Sequence, residues 1–469
     1  MKQYRFNINR IVAFAVMALF VSSCGIMKKY EQPEFTENEL YRGADSTQVD
    51  STTIADLSWK EIFTDPTLQS LIDEALRENY DLKTAVSNIN SAAANLSGAT
   101  GALFPSVTLN GSATSTQMAE NRTISAATGF NSEQYQLYGS ASWELPIWGK
   151  LRNDRKSAVA DFLASEAYER VVRTQLIATI ATNYYSLLAL DKQLRITEET
   201  AENRRQYVQT VESLKEAGNL TGADIMQSVA NRFNAEVSIP DLKQQIRELE
   251  NAMSTLLGRQ PGPIERSEID GQEIGVDLKT GVPYQLLANR PDVSQAELQL
   301  RSAFYQVKVA QAYFYPSITI TGAAGYTTTD IANFITPTAF FSNLAAGLAQ
   351  PLFNKNQNRA RLKANQAAQE QALFNYKSTL LSAGEEVSNA MFSYEMAEEK
   401  MAIREQQLEA LNNAVEFNEE LLQFGDASYV DVLTSQTNLL SAQINSVNDK
   451  LQQMQAIIEL YRALGGGWK

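Results

Sequence analysis

Two stretches of this chain, Leu151–Glu216 and Lys355–Gln423, contain no proline and share a single glycine, Gly384. At ~1.5 Å per residue each can extend about 100 Å as one helix, whereas globular helices average about 11–12 residues. A helix that long outruns any compact core and must be supported along its length by other helices. The closing segment supplies the pattern for such support. Leu433, Thr437, Leu440, Ile444, Val447, Leu451, Met454, Ile458 and Tyr461 step by fours and threes, the spacing of coiled-coil packing. Leu242, Ile246, Leu249, Met253 and Leu256 step alike. Each long stretch is followed by a glycine-bearing turn and a returning helix, so the sequence predicts two long antiparallel coiled-coil hairpins.

The hairpins belong to a duplication. Ala102-Leu103-Phe104-Pro105-Ser106-Val107-Thr108-Leu109-Asn110-Gly111 recurs as Tyr313-Phe314-Tyr315-Pro316-Ser317-Ile318-Thr319-Ile320-Thr321-Gly322, about 211 residues later. Pro146-Ile147-Trp148 returns as Pro351-Leu352-Phe353, and Gly218, Thr221, Asp224 and Ser228 as Gly425, Ser428, Asp431 and Ser435. A constant order at near-constant spacing marks structural repeats. The predicted organisation is a leader (1–23), a polar arm (24–56), a first repeat (57–258), a Gly/Pro-bearing connector (259–282), a second repeat (283–464) and a short tail (465–469).

Each repeat also holds two stretches of period-2 alternation, the pattern of a strand with one apolar and one polar face. They are Ser106–Thr116 and Tyr135–Leu145, then Ser317–Tyr326 and, more weakly, Phe340–Leu352. Each approaches the ~9–11 residues of a tilted membrane strand, and Trp143 and Trp148 suit a water–lipid interface. Four strands of a soluble sandwich are the competing reading. Membrane barrels begin at about eight strands, so if these strands cross a bilayer, several copies must share one barrel. Two, three or four copies all satisfy that count.

Charge and cysteine usage set the compartment. The formal charge of −14 argues against nucleic-acid binding. The absence of histidine removes imidazole acid–base chemistry, His-ligated zinc and Ser-His or Cys-His triads. No nucleotide-binding glycine loop is visible. Lys2, Arg5 and Arg10 precede the apolar run Ile11–Val21, and Ser22-Ser23-Cys24 follows. A basic start, a short apolar core and small residues before a boundary read as a secretory leader. The one cysteine stands where a bacterial lipobox places the residue that takes a diacylglycerol. Cys24 is therefore the expected lipid anchor, with an N-acyl chain, and no other cofactor or metal site is expected.

These features together resemble the lipoprotein branch of the TolC-like outer-membrane factors that serve drug and metal efflux pumps. The marks are Trp59 with Asp65-Pro66-Thr67-Leu68, Trp143-Glu144-Leu145-Pro146-Ile147-Trp148-Gly149, Leu256-Leu257-Gly258 with Pro261-Gly262, Arg290-Pro291-Asp292, Tyr315-Pro316-Ser317-Ile318 and Leu464-Gly465-Gly466-Gly467-Trp468. The resemblance implies an α+β outer-membrane efflux fold. Four strands per protomer would build a trimeric twelve-stranded β-barrel above a long periplasmic α-helical barrel. It implies a homotrimer in the outer-membrane lipid, a periplasmic adaptor protein, an inner-membrane efflux pump and no enzymatic activity. Pro146 stands where the family usually has Asp, and Asn356 where Gly is common; Asn accepts left-handed backbone nearly as Gly does.

The resemblance also points to a gate. Both hairpin turns read Gly, five residues, Asp, as Gly218…Asp224 and Gly425…Asp431, and family members line their periplasmic mouth with acidic residues after this turn. Crowded carboxylates there would bind cations or take raised pKa values. The bland alternative is that Thr221-x-x-Asp224 and Ser428-x-x-Asp431 are capping boxes. Thr434 occupies the place of a further family Asp. Ala217, Gly218, Phe424 and Gly425 at the turns are the expected adaptor contacts, unless the glycines only close tight turns. A structural coiled-coil lipoprotein without a lumen is the alternative function, and a carboxylate hydrolase the remote one.

Overall fold

The structure, a computed structural model, describes residues 29–33, 57–117, 131–272, 290–424 and 426–468. Its elements run α1 (Trp59–Ile62), α2 (Pro66–Glu78), α3 (Tyr80–Gly101), β1 (Ser106–Gln117), β2 (Asn131–Glu144), α4 (Lys150–Glu216), α5 (Gly222–Glu236) and α6 (Ser238–Leu256). Then come α7 (Pro291–Ala312), β3 (Ser317–Thr328), β4 (Phe340–Ala349), α8 (Gln357–Phe424) and α9 (Tyr429–Ala463). Two compact units share these elements. One comprises Met1–Glu34, Ile89–Ser165 and Ala296–Tyr376, the other Phe35–Asn88, Glu166–Gln295 and Lys377–Lys469. No helix among the described residues is long and apolar enough to cross a membrane.

The first unit carries the sheet, antiparallel in the order β1-β2-β3-β4. The register aligns the alternation of all four strands. Thr108 pairs with Ser140, Ser140 with Ala323, and Ala323 with Asn343; Leu109 pairs with Gly139, Trp143 with Ile320, and Ile320 with Ala346. Since neighbours in register share a face, the Thr/Ser/Asn residues line one side and the Val/Leu/Ile residues the other. The polar side is cross-linked: Thr108 and Ser140 hydroxyls lie 2.7 Å apart, and Asn110 Nδ2 donates to Ser140 at 2.9 Å. The apolar side is uncovered, with Val107, Leu109, Leu344 and Leu348 between 68% and 82% exposed. A soluble sandwich would bury this face under a second sheet, and none is present among the described residues. The outer edges of β1 and β4 likewise have no partner strand in this chain.

Three boundaries differ from the sequence expectation for local reasons. Strand β4 ends at Ala349, not Leu352, because Pro351 has no N–H to give a ladder. Helix α8 starts at Gln357 because Lys355 and Asn356 adopt φ of 55° and 66°; Asn356 thus fills the left-handed position glycine would take. The returning helix of the first hairpin is broken at Val237 into α5 and α6. Pro240, three residues on, cannot donate to the carbonyl four residues back.

Helices α4 and α8 are 67 and 68 residues long, and in the second unit their parts from Glu166 and Lys377 onward form hairpins with α5–α6 and with α9. The seam of α9 is rotated relative to its expected position near the turn. There Val432, Ser435, Ala442 and Asp449 are buried while Leu433, Leu440 and Ile444 are half-buried and Thr437 is exposed. From Val447 onward the expected positions Val447, Met454, Ile458 and Tyr461 are buried and Leu451 is half-buried. Several motif residues are fasteners of this unit. Asp65 caps α2 through Thr67 N–H (2.8 Å) and accepts from Gln272 (2.9 Å) and from the Tyr184 hydroxyl. Arg290, 4% exposed, donates to Ala463 O (2.7 Å), Asp292 (2.7 Å) and Glu386 (2.8 Å), tying α7, α8 and the end of α9 together. Gly258 has φ +68°, and a Cβ there would lie 2.6 Å from the Glu78 carbonyl.

Candidate gate at the hairpin turns

The long helix α4 stops at a glycine. Gly218 has φ +85°, its N–H donates to Lys215 O (3.0 Å), and Asn219 N–H donates to Leu214 O (3.0 Å). This is the paired-bond C-terminal cap that needs a left-handed residue at its centre. In the second hairpin Asp426 N–H makes the matching bond to Leu421 O, 3.0 Å. Gly425 lies outside the described residues. Ala217, Gly218 and Phe424 are exposed, Phe424 by 74%.

Each turn then starts its return helix with a complete capping box. Asp224 accepts from Thr221 N–H at 2.8 Å and from its hydroxyl at 2.7 Å, while Asp224 N–H reaches Thr221 Oγ1 at 3.4 Å. Asp431 repeats the arrangement on Ser428, with 3.0, 2.6 and 3.3 Å. These bonds hold both carboxyls below the usual carboxylate range. Within one protomer the cap donors outweigh the opposing effect of burial. Thr221, Ser428, Asp224 and Asp431 are caps; capping leaves Asp431 exposed and Asp224 half-exposed.

The two turns are brought together by a small core that the sequence reading did not find. Val211, Leu422, Tyr429 and Val432 are buried, with Tyr207, Leu214, Leu220, Ile225 and Leu433 packed on them. Tyr207 and Tyr429 stack across it, centroids 6.1 Å apart at 20°. Beneath lies Arg204, 6% exposed, whose Nη1 donates to Asn231 O (2.9 Å) while Nε and Nη2 have no hydrogen-bond partner among the described residues. Burial pulls its guanidinium below the ordinary value and pushes the Tyr429 hydroxyl up. Arg204 stands in sequence beside exposed Arg205, so nothing there marks it as buried. The one available signal was the position of Tyr429 directly after the cap residue Ser428.

Charge around the second turn is one-sided, whereas the first turn carries Lys215. Between Arg404 and Lys450 the second hairpin has no basic residue, but carries Glu416, Glu419, Glu420, Asp426 and Asp431 around its turn. What the arrangement offers is an exposed, doubly capped tip that is acidic at its second turn. At the sheet, Trp143 Nε1 donates to Leu103 O (3.0 Å) and Trp148 Nε1 to Pro316 O (2.6 Å), with Trp148 stacked on Tyr315. Both indoles thus fasten the strand–helix junction with their rings part-exposed. Cys24 lies outside the described residues.

Comparison with known proteins finds outer-membrane efflux channels that match nearly the whole chain. Over 466 residues the chain is 26% identical to the probable efflux pump outer membrane protein TtgC of Pseudomonas putida, covering 98% of this chain and 96% of that one. It is 26% identical to the cation efflux system protein CusC of Escherichia coli, over 98% and 99% of the two chains. Among solved structures, the outer-membrane channel OprN superposes with a TM-score of 0.86 at 26% identity, over 95% of this chain and all of that one. The open-state MtrE channel of Neisseria gonorrhoeae gives 0.84 at 25% identity, over 95% and 99%. The profile of the outer membrane efflux protein family matches twice, at residues 71–259 and 282–466, and the chain belongs to that family.

Proposed function

We propose that this protein is the outer-membrane exit duct of a tripartite efflux system, a passive conduit working as a homotrimer. The carrying observation is the open four-stranded sheet, with one mainly apolar, uncovered face, a more polar opposite face, and both edges unpaired within this chain. Unpaired backbone cannot face lipid, so the sheet must close with further copies. Three copies would give a twelve-stranded barrel, the assembly that the resemblance to TolC-like factors implies. The protein is an outer-membrane protein, and its relatives are efflux channels.

The finer assignments extend this reading. Energy would come from an inner-membrane pump, linked through a periplasmic adaptor that meets the exposed turn residues Ala217, Gly218 and Phe424, with Gly425 between the second pair of helices. Asp224 and Asp431 would face the periplasmic mouth and make it cation-preferring. The lipid on Cys24 would hold the arm at the membrane. Cysteines placed at Ser112 on β1 and at Asn343 on β4, one per edge strand on the polar face, test closure. Oxidation should link chains into covalent trimers. Failure of all such edge pairs, at neighbouring registers too, would leave a coiled-coil tether without a lumen.

A further inference from the structure

All four strand–helix junctions lie along one edge of the sheet: Ser106 is opposite Ser142, Glu144 opposite Thr319, and Ser317 opposite Ala349. Along that edge the charge of the chain changes sign. The whole sequence has 54 acidic and 40 basic residues, yet Pro351–Gln369 holds Lys355, Arg359, Arg361 and Lys363 with no acidic residue. Helix α4 likewise opens with Lys150, Arg152, Arg155 and Lys156, interrupted only by Asp154. Neither α4 nor α8 has an acidic residue in its first turn, although α5 and α9 do. Cations at these ends oppose the helix dipole, so their placement answers to something other than helix stability.

Arg361 and Lys150 are used locally, standing 3.9 and 4.8 Å from the Tyr313 ring. Lys355, Arg359 and Lys363 are exposed and make no ion pair among the described residues. Immediately ahead of them sit Leu352 and Phe353, 96% and 87% exposed. An apolar pair followed by unpaired cations is the combination that partitions to a bilayer interface, with the apolar groups among acyl chains and the charges at headgroup depth.

We infer that this edge is a docking surface for anionic phospholipid headgroups of the inner leaflet of the outer membrane. Lys355, Arg359 and Lys363 engage the phosphates, and Leu352 and Phe353 enter the acyl boundary. The inference rests on the sheet spanning that membrane. It assigns this charged edge a ligand independent of the exported cargo and of the lipid on Cys24.

Trp143 and Trp148 stand at the same edge and report on it. Full-length protein is reconstituted in phosphatidylcholine vesicles, and quenching is compared for brominated phosphatidylglycerol and brominated phosphatidylcholine at equal mole fraction. Each near-surface Lys or Arg is worth about fivefold in affinity for an anionic surface, so phosphatidylglycerol should quench at a several-fold lower mole fraction. That preference should collapse in 0.5 M salt, a concentration of order that cuts the Debye length to a few Å. The triple variant Lys355→Gln, Arg359→Gln, Lys363→Gln should be quenched equally by both lipids. Equal quenching of the unaltered protein, or a preference that survives in the variant, overturns the inference. A variant that keeps its lipid preference but falls apart into single chains would assign the surface to contacts between copies. Absence of quenching by either lipid would instead refute the membrane placement of the sheet.

Discussion

Replacing Arg290 by Met should cost the helical unit about 3–5 kcal/mol, the loss that follows when one partner of a buried ion pair is removed. Arg290 is 4% exposed and its fork holds three acceptors on three elements: Asp292 at the start of α7, Glu386 on α8 and the Ala463 carbonyl at the end of α9. Methionine fills the space but donates to none of the three. Glu386 keeps a weaker contact with Arg462 at 3.4 Å and Asp292 keeps the Val293 N–H at 2.9 Å, whereas both lose their buried counter-charge and the Ala463 carbonyl loses its guanidinium donor. For a unit of this size the loss corresponds to roughly 10 °C in melting temperature. The assay is helical circular dichroism of the detergent-purified protein during heating. Arg290→Lys, a single point charge that cannot span the three acceptors, should fall between the two. A Met variant melting within about 2 °C of the unaltered protein would refute the argument that this ion cluster clamps the fold.

Acid should probe the same cluster: burial alone would push the Asp292 carboxyl up, but Arg290 overrides it and holds the carboxyl below its ordinary 3.8. Its stabilising contribution is therefore complete above that value and is lost as pH falls through the lowered one, so acid-side melting curves should be steeper for the unaltered protein than for Arg290→Met. Gly258→Ala should lower the melting temperature, because φ is +68° and the new methyl would sit 2.6 Å from the Glu78 carbonyl; an unchanged value would contradict the close approach of α2. Thr221→Ala removes a cap at a cost of about 1 kcal/mol while keeping the Asp224 charge. Asp224→Asn with Asp431→Asn removes the charges while keeping groups able to cap. If the aspartates serve the mouth, only the Asn pair should lower cation preference in bilayer recordings; equal effects of both changes would leave them as caps alone.

What the sequence made legible follows from periodicity and punctuation. Strands β1, β2 and β3 were readable because each alternates between a mainly apolar and a mainly polar face, β4 more weakly because Ala345, Gly347 and Ala349 stand where polar residues would, and the register then aligned the four. The turns were readable because glycine and a capping pair recur at the same spacing in both repeats. The seam of α9 was only partly readable. Near the turn its buried positions include Ser435 and Asp449, which no apolar pattern reveals, beside Tyr429, Val432, Ala442 and the expected Val447, while Leu433 and Leu440 stay half-buried. Asp449 is legible only once Arg404 is seen 2.9 Å away on α8. The Tyr207–Tyr429 stack and buried Arg204 join residues more than two hundred positions apart or hidden beside surface charge, so no local signal carries them. The break at Val237 was signalled by Pro240 but hidden by the regular spacing on either side.

The proposed duct requires copies of this chain to enclose a continuous aqueous path that narrows at the hairpin turns carrying Asp224 and Asp431. Planar-bilayer recording of the purified, reconstituted protein tests it most directly. Opening the caps by combining Thr221→Ala with Asp224→Ala and Asp431→Ala should raise single-channel conductance well above that of the unaltered protein, in discrete steps. A correctly folded, membrane-inserted variant that passes no current would contradict the account.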